Sequence, residues 1–182
     1  MSSLFILGGA RSGKSRHAVA AQPVRGRIAF LATAQPGDAD MAHRIARHRA
    51  ERPAHWTTIE EPFEVAARFA EVRGVDALVI DCVTVWIGNR MLRGDAPEAI
   101  LAEVDALVSG LPRAPFAVTI VSNEVGEGVH PETEIGMRFR DLLGFVNQRL
   151  AAACDRAVLM VAGLPLTLKD TPARRDDPVE AP

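Results

Sequence analysis

The octet Gly8-Gly9-Ala10-Arg11-Ser12-Gly13-Lys14-Ser15 fits the pattern G-x-x-x-x-G-K-[ST]. A short apolar run, Leu4–Leu7, stands before it, and an amphipathic stretch, Lys14–Ala21, stands after it. Strand, glycine turn and helix in that order restrict the chain to folds in which backbone N–H groups close around an anion. Gly8, Gly9, Ala10, Arg11, Ser12 and Gly13 would supply the cradle. Lys14 is expected to reach the β- and γ-phosphates of a nucleotide, and the Ser15 hydroxyl to bind Mg²⁺. The positive end of the following helix adds to the attraction.

Four further apolar runs, Ile28–Leu31, Ala77–Ile80, Ala117–Val121 and Ala157–Val161, alternate with helical patterns over 38–50, 63–72, 83–92, 97–107 and 133–153. Runs of this length, several of them rich in β-branched residues, suit strands buried on both faces. Strand–helix alternation predicts an α/β fold with a mostly parallel sheet flanked by helices. At roughly 100–200 residues per domain, 182 residues make a single domain. We expect it over residues 1–169, with 170–182, rich in Pro and charge, as a disordered tail. Each expected strand ends in a glycine or polar cluster: Gly8-Gly9, Thr33-Ala34-Gln35, Asp81, Ser122-Asn123-Glu124 and Gly163. Ligands of open parallel sheets lie at the carboxyl ends of the strands, so these clusters describe one site.

Composition narrows the partners. A net charge of −2 gives no global positive field for nucleic acid. No apolar run approaches the roughly 18 residues of a membrane span, and the N-terminus does not read as a signal peptide. Cys82 and Cys154 lack metal-type spacing, as expected for reduced thiols in a cytoplasmic protein. The guanine-reading Asn-Lys-x-Asp of signalling GTPases is missing.

Three residues stand out beyond the octet. Asp81 closes the third run, where an acid holds Mg²⁺ directly or through water; it would equally cap the helix that follows. The basic stretch Met41–Pro53 places Met41, Ile45 and His48 on one helical stripe, with Arg44 four residues before His48 and Arg52 four after. Arginines hold an anion, and a neutral imidazole beside them offers a lone pair to phosphorus. The same stretch could be a solvated basic face or a kinase lid. Glu124 opens a glycine loop and could take a proton from a substrate hydroxyl, or serve only as a turn former. The residues alone therefore leave a nucleotidyl transferase, a plain small-metabolite kinase with an arginine lid, and a non-catalytic nucleotide-binding regulator all open.

Segments 8–17, 44–56, 122–128 and 146–153 together resemble one family, the bifunctional adenosylcobinamide kinase/adenosylcobinamide-phosphate guanylyltransferases of cobalamin biosynthesis, from about residue 4 to residue 169. The resemblance implies a RecA-like P-loop NTPase fold and a homotrimer. It implies that ATP or GTP phosphorylates adenosylcobinamide. GTP then guanylylates a histidine, which transfers GMP to adenosylcobinamide phosphate. The family's histidine maps onto His48. Its nucleotide contacts map onto Gly8–Ser15, Thr33, Ala34, Gln35, Arg44, Glu51, Arg52, Pro53, Ala54, Glu60 and Asp81. One departure is His130, where relatives usually carry an apolar residue; it is expected in the loop, where it could alter corrinoid contacts while leaving the chemistry intact.

Overall fold

A computed structural model describes residues 2–37, 39–50 and 52–170. Its sheet contains β1 (Ser3–Gly8), β2 (Ile28–Ala32), β3 (Thr57–Glu60), β4 (Ala77–Asp81), β5 (Ala117–Val121), β6 (Arg156–Val161) and β7 (Leu164–Asp170). The spatial order is β3-β2-β4-β5-β1-β6-β7, parallel throughout except for the antiparallel pair β6–β7. The helices are α1 (Lys14–Ala20), α2 (Ala39–Ala50), α3 (Val65–Glu71), α4 (Val83–Arg93), α5 (Pro97–Gly110) and α6 (Glu134–Ala153).

Alternation along the strands sorts the core into two layers. Phe5, Leu31, Leu78, Ile80, Val118 and Ile120 face α3, α4, α5 and α6. Ile6, Ile28, Phe30, Val79 and Val158 face the opposite way, with Ala18 of α1 and Trp56 packed among them. Successive side chains of a strand point to opposite faces, so a run apolar at every position must be covered on both sides. Trp86 of α4 is fully buried and its indole N–H donates to the Phe63 carbonyl at 2.8 Å. Burying such a side chain is worth about 1.5–3 kcal/mol, and the hydrogen bond removes the penalty of its one polar atom.

The five expected runs are β1, β2, β4, β5 and β6. β3 and β7 were not anticipated, and both lie on the sheet's outer edges. β7 also corrects the expected tail boundary: Asp170 pairs in register with Arg156 and its carboxylate lies 3.0 Å from the Arg156 guanidinium. A ladder partner and an ion pair hold a residue that composition alone places in a frayed end. Residues 171–182 lie outside the described residues.

The β6–β7 turn reaches back to the octet. Gly163 N–H donates to the Ser12 carbonyl at 3.0 Å. A Cβ on Gly13, whose φ is 97°, would come within 3.3 Å of the Gly163 Cα. Only glycine satisfies both that left-handed backbone and that approach.

Candidate active site

The carboxyl ends of β1, β2, β4 and β5 open onto one cavity of about 780 Å³. The octet forms its floor. Lys14 is buried and its Nζ donates to the Gly9 carbonyl at 2.6 Å, folding the ammonium back over the loop. Arg11 sits at φ 56°, a left-handed conformation that costs a non-glycine residue roughly 1–2 kcal/mol and that clusters at functional turns. α1 starts after Gly13 with no side-chain cap, so its first N–H groups are left for an acceptor from outside the chain. The Ser12 hydroxyl is buried without a hydrogen-bond partner among the described residues. A loop with this many inward donors suits a polyanion.

Ser15 Oγ donates to Asp81 Oδ2 at 3.1 Å, joining the start of α1 to the end of β4. Burial pushes the Asp81 carboxyl above its ordinary range, while the Ser15 hydrogen bond and the charges of His48, Arg52 and Lys14 pull it back. One hydroxyl and one desolvated carboxylate make a hard-oxygen pair of the kind Mg²⁺ takes when phosphates and water complete its shell. Among the described residues, no group of three His, Cys, Asp or Glu side chains could hold a metal unaided.

The opposite wall comes from α2 and the segment that follows. Ile45, Arg47, His48 and Arg49 line the cavity, as do Arg52, Thr58 and Glu60. His48 and Ile45 are half-buried while Ala42, His43, Ala46, Arg47, Arg49 and Ala50 are exposed, so two members of the stripe read from the sequence, Ile45 and His48, face the site. The Arg52 guanidinium lies 3.5 Å from the centroid of the Phe30 ring, which is itself 6.4 Å from the Trp56 ring. Burial, helped by Arg49, pulls the Arg52 pKa down; Asp81 and Glu60 oppose it. The Arg52 Nε is buried without a partner among the described residues. Arg49 and Glu60 are paired at 2.7 Å on the rim.

The structure thus gathers the octet residues from Ala10 to Ser15 with Ala34, His48, Arg52, Glu60 and Asp81. Gly8 and Gly9 shape the loop from beneath: a Cβ on Gly8 would sit 2.6 Å from the Met160 carbonyl. Thr33 is not at the surface of the cavity. It is fully buried, and its hydroxyl accepts from Cys82 N–H at 2.9 Å and donates to the Cys82 carbonyl at 2.8 Å, which ties the end of β2 to the end of β4. Gln35 and Ala54 are exposed and, with Pro53, stand off the lining. Glu51 and the side chain of Arg44 lie outside the described residues. Glu124 is also off the lining: its N–H donates to the Gly8 carbonyl at 3.1 Å, and its carboxylate accepts from Gly126 N–H at 2.6 Å. His130 is exposed in the loop, as expected. Arg16, Thr58, Cys82, Val85 and Asn123 line the cavity without having been anticipated. Asn123 had a signal in the polar cluster closing its strand, which the neighbouring carboxylate obscured. Burial raises the Cys82 thiol to about 12, so it stays protonated.

A parallel sheet with a glycine-rich phosphate loop after β1, and an acid two strands away on β4, defines a P-loop NTPase. A solved structure described as a prototypical ATPase from the type III secretion system of pathogenic bacteria shares the fold, with a TM-score of 0.55 at 12% identity, over 91% of this chain and 56% of that one. More specifically, the family model described as cobinamide kinase / cobinamide phosphate guanyltransferase matches residues 4–168. A bifunctional adenosylcobalamin biosynthesis protein, CobP, of Pseudomonas aeruginosa is 45% identical over 170 residues, covering 92% of this chain and 98% of the relative. The bifunctional adenosylcobalamin biosynthesis protein CobU of Salmonella typhimurium is 39% identical over 179 residues, covering 91% and 99%. The chain belongs to the cobinamide kinase/cobinamide phosphate guanyltransferase family.

Proposed function

We propose that this chain phosphorylates adenosylcobinamide with a nucleoside triphosphate. It then transfers GMP from GTP, through guanylylated His48, to adenosylcobinamide phosphate, yielding adenosylcobinamide-GDP and pyrophosphate. The observation that carries the reading is that His48 and the phosphate loop line the same cavity. Of the alternatives left open by the residues, a plain kinase or a regulator needs no nucleophile there.

In the guanylyl step a ring nitrogen of His48 bonds to the α-phosphorus of GTP. The bond from that phosphorus to the α–β bridging oxygen breaks, and pyrophosphate leaves with the electron pair. A phosphate oxygen of adenosylcobinamide phosphate then attacks the same phosphorus and breaks the P–N bond. A covalent intermediate splits a transfer between two bulky partners into two displacements. Lys14 and the loop N–H groups stabilise charge on the departing pyrophosphate, and Arg52 holds the nucleotide beside His48. Glu60 and Ala34 complete that wall. Ser15 and Asp81 are the residues that would hold Mg²⁺, which neutralises phosphate charge when bound. Glu124, hydrogen-bonded to Gly8 next to the loop, would accept the proton of the substrate hydroxyl in the kinase step.

We also propose a homotrimer in the cytoplasm. Leu164, Leu166 and Leu168 alternate along β7 and are all exposed, an apolar face on an edge strand that a neighbouring subunit would cover. No helix among the described residues is long and apolar enough to cross a membrane.

The test is incubation with GTP labelled at the α-phosphate, followed by denaturation. An acid-labile, alkali-stable label is expected on the wild-type chain and none on His48→Ala. Normal nucleotide binding with an unlabelled wild-type chain would instead favour a plain kinase or a regulator.

A further inference from the structure

The cavity has a volume of about 780 Å³. Pockets of roughly 300–1,000 Å³ hold one drug-sized ligand, the class to which a nucleoside triphosphate belongs. A corrin macrocycle carrying an adenosyl group is far bulkier. Its reactive arm can enter the cavity, but the macrocycle has to rest outside, against the rim.

Two sides of the rim are taken. α2 and the segment after it wall the cavity beyond β2, and the octet, braced by the β6–β7 turn, walls it beyond β1. Between them, past the ends of β4 and β5, stand Val85 of α4 and the loop that joins β5 to α6. That loop and the start of α6 present apolar side chains to solvent: Val129 is 96% exposed and Ile135 53%. Phe139, one helical turn after Ile135 on the same face, is packed against the core beside α4, where a Cβ on Gly88 would meet its ring at 3.8 Å. α4 and α6 follow neighbouring parallel strands and run side by side in the same direction. One turn back from Gly88 and Phe139 are Val85 and Ile135, which sets Ile135 at the level of the cavity mouth. Single exposed apolar residues are ordinary, but a series that starts at the lip of a cavity marks a binding surface.

Charge agrees with this. Residues 124–134 include four glutamates and no Lys or Arg. Glu124 accepts from Gly126 N–H and Glu134 is paired with Arg138, whereas Glu127 and Glu132 are exposed and make no ion pair among the described residues. In adenosylcobinamide, cobalt(III) is bound to a corrin anion and an alkyl anion, which leaves a net positive charge. Its other side arms are neutral amides, and methyl groups edge the ring. An acidic, partly apolar rim is complementary to such a cation and repels a nucleotide polyanion. We propose that the β5–α6 loop and the first turn of α6, through Val129, Ile135, Glu127 and Glu132, form the bed on which the macrocycle of adenosylcobinamide and of its phosphate lies while the reactive arm reaches into the cavity. His130, exposed beside Val129, belongs to the same bed. The bed binds the acceptor and takes no part in bond making, so its loss raises KM for the corrinoid and leaves kcat alone.

The inference rests on the two-reaction reading, and the experiment separates their failures. Four full-length proteins are dialysed in the dark against adenosylcobinamide, read by its visible absorbance: wild type, the double variant Val129→Ser with Ile135→Ser, the double variant Glu127→Gln with Glu132→Gln, and Val24→Ser. Val24, 92% exposed between α1 and β2, is the control. The apolar double variant is expected to bind about tenfold more weakly and to show the same rise in kinase KM for adenosylcobinamide, with kcat within about twofold. The carboxylate double variant should bind about threefold more weakly at low salt, a difference that added salt removes. Labelling of His48 by α-labelled GTP needs no corrinoid and should be unchanged in every variant, and Val24→Ser should match wild type throughout. Wild-type affinity in the apolar double variant, or a fall in its kcat without a rise in KM, overturns the bed. A changed oligomeric state by light scattering alongside the loss of affinity overturns it too, because it assigns this face to a neighbouring subunit. A wild-type chain that binds no adenosylcobinamide overturns the two-reaction reading and the inference with it.

Discussion

The two walls of the cavity are built differently. The phosphate loop is wedged between secondary-structure elements: Lys14 is buried, Gly8 is packed against Met160, and Gly163 donates a hydrogen bond to Ser12. The described side chains of α2, which carries His48, are mostly exposed; its end is tied down by a rim pair between Arg49 and Glu60, and the segment after it by Arg52 stacked on Phe30. Elements with few buried apolar contacts open at lower free energy than the core. One wall is therefore preorganised for phosphate, and the other is held by polar contacts that a nucleotide can replace. The nucleophile proposed for the guanylyl step, which would meet the α-phosphorus of one triphosphate yet stand clear while the γ-phosphorus of another reacts, is suited to the looser wall.

The largest expected effect tests the rigid wall. Gly8→Ala would set a carbon 2.6 Å from the Met160 carbonyl and 2.7 Å from Ser12 Oγ, at a positive φ. Loss of both activities and about 2–4 kcal/mol of stability should follow in a denaturant melt; retention of nucleotide binding would show that the cradle yields.

Asp81→Asn comes next and should move function and stability in opposite directions. The Asp81 pKa is raised in the folded state, mainly by burial, so the folded protein holds the proton more tightly than the unfolded chain. Its contribution to stability is full at low pH and falls as pH rises through the folded pKa. At neutral pH the variant is expected to lose Mg²⁺-dependent turnover and to melt above wild type. That gap should close as pH falls toward the ordinary value of 3.8. A variant less stable than wild type at neutral pH would mean that Ser15, Lys14, His48 and Arg52 outweigh desolvation.

Arg52→Lys keeps the charge and loses the flat guanidinium over Phe30. His48 labelling should slow about tenfold, with the kinase step less affected. The smallest effect probes the looser wall alone. Ala46→Gly, at an exposed position of α2, removes about 1 kcal/mol of helix propensity. Amide exchange over 39–50 should quicken while the global melting temperature stays unchanged; a shift of the whole transition would mean that α2 unfolds only with the core.

The same contrast governs how much could be read beforehand. The inner strands and the phosphate loop are continuous apolar runs and a fixed glycine pattern, local signals that tertiary contacts only reinforce. β3 and β7 lie on edges, where a strand need not be apolar throughout. β7 nonetheless carries the alternation Leu164, Leu166, Leu168, interrupted by Pro165, which marks an edge strand. The approach of Ile45 and His48 to the cavity was legible from their helical spacing, whereas the role of His48 came from the family resemblance and not from the spacing. Thr33 read as a ligand contact, but its hydroxyl is spent on both polar backbone atoms of Cys82. The backbone of Asn123 is held by Thr84 and Asn147, 39 and 24 residues away in the chain, a pairing that no local pattern encodes.

The hydrogen bond from Gly163 to Ser12 has a practical reach. Because the tip of the β6–β7 hairpin braces the loop proposed to seat the triphosphate, a truncation that spares every motif but ends before Gly163 would remove that brace and leave the nucleotide with a slack grip. Trimming at that end should be judged by ligand affinity.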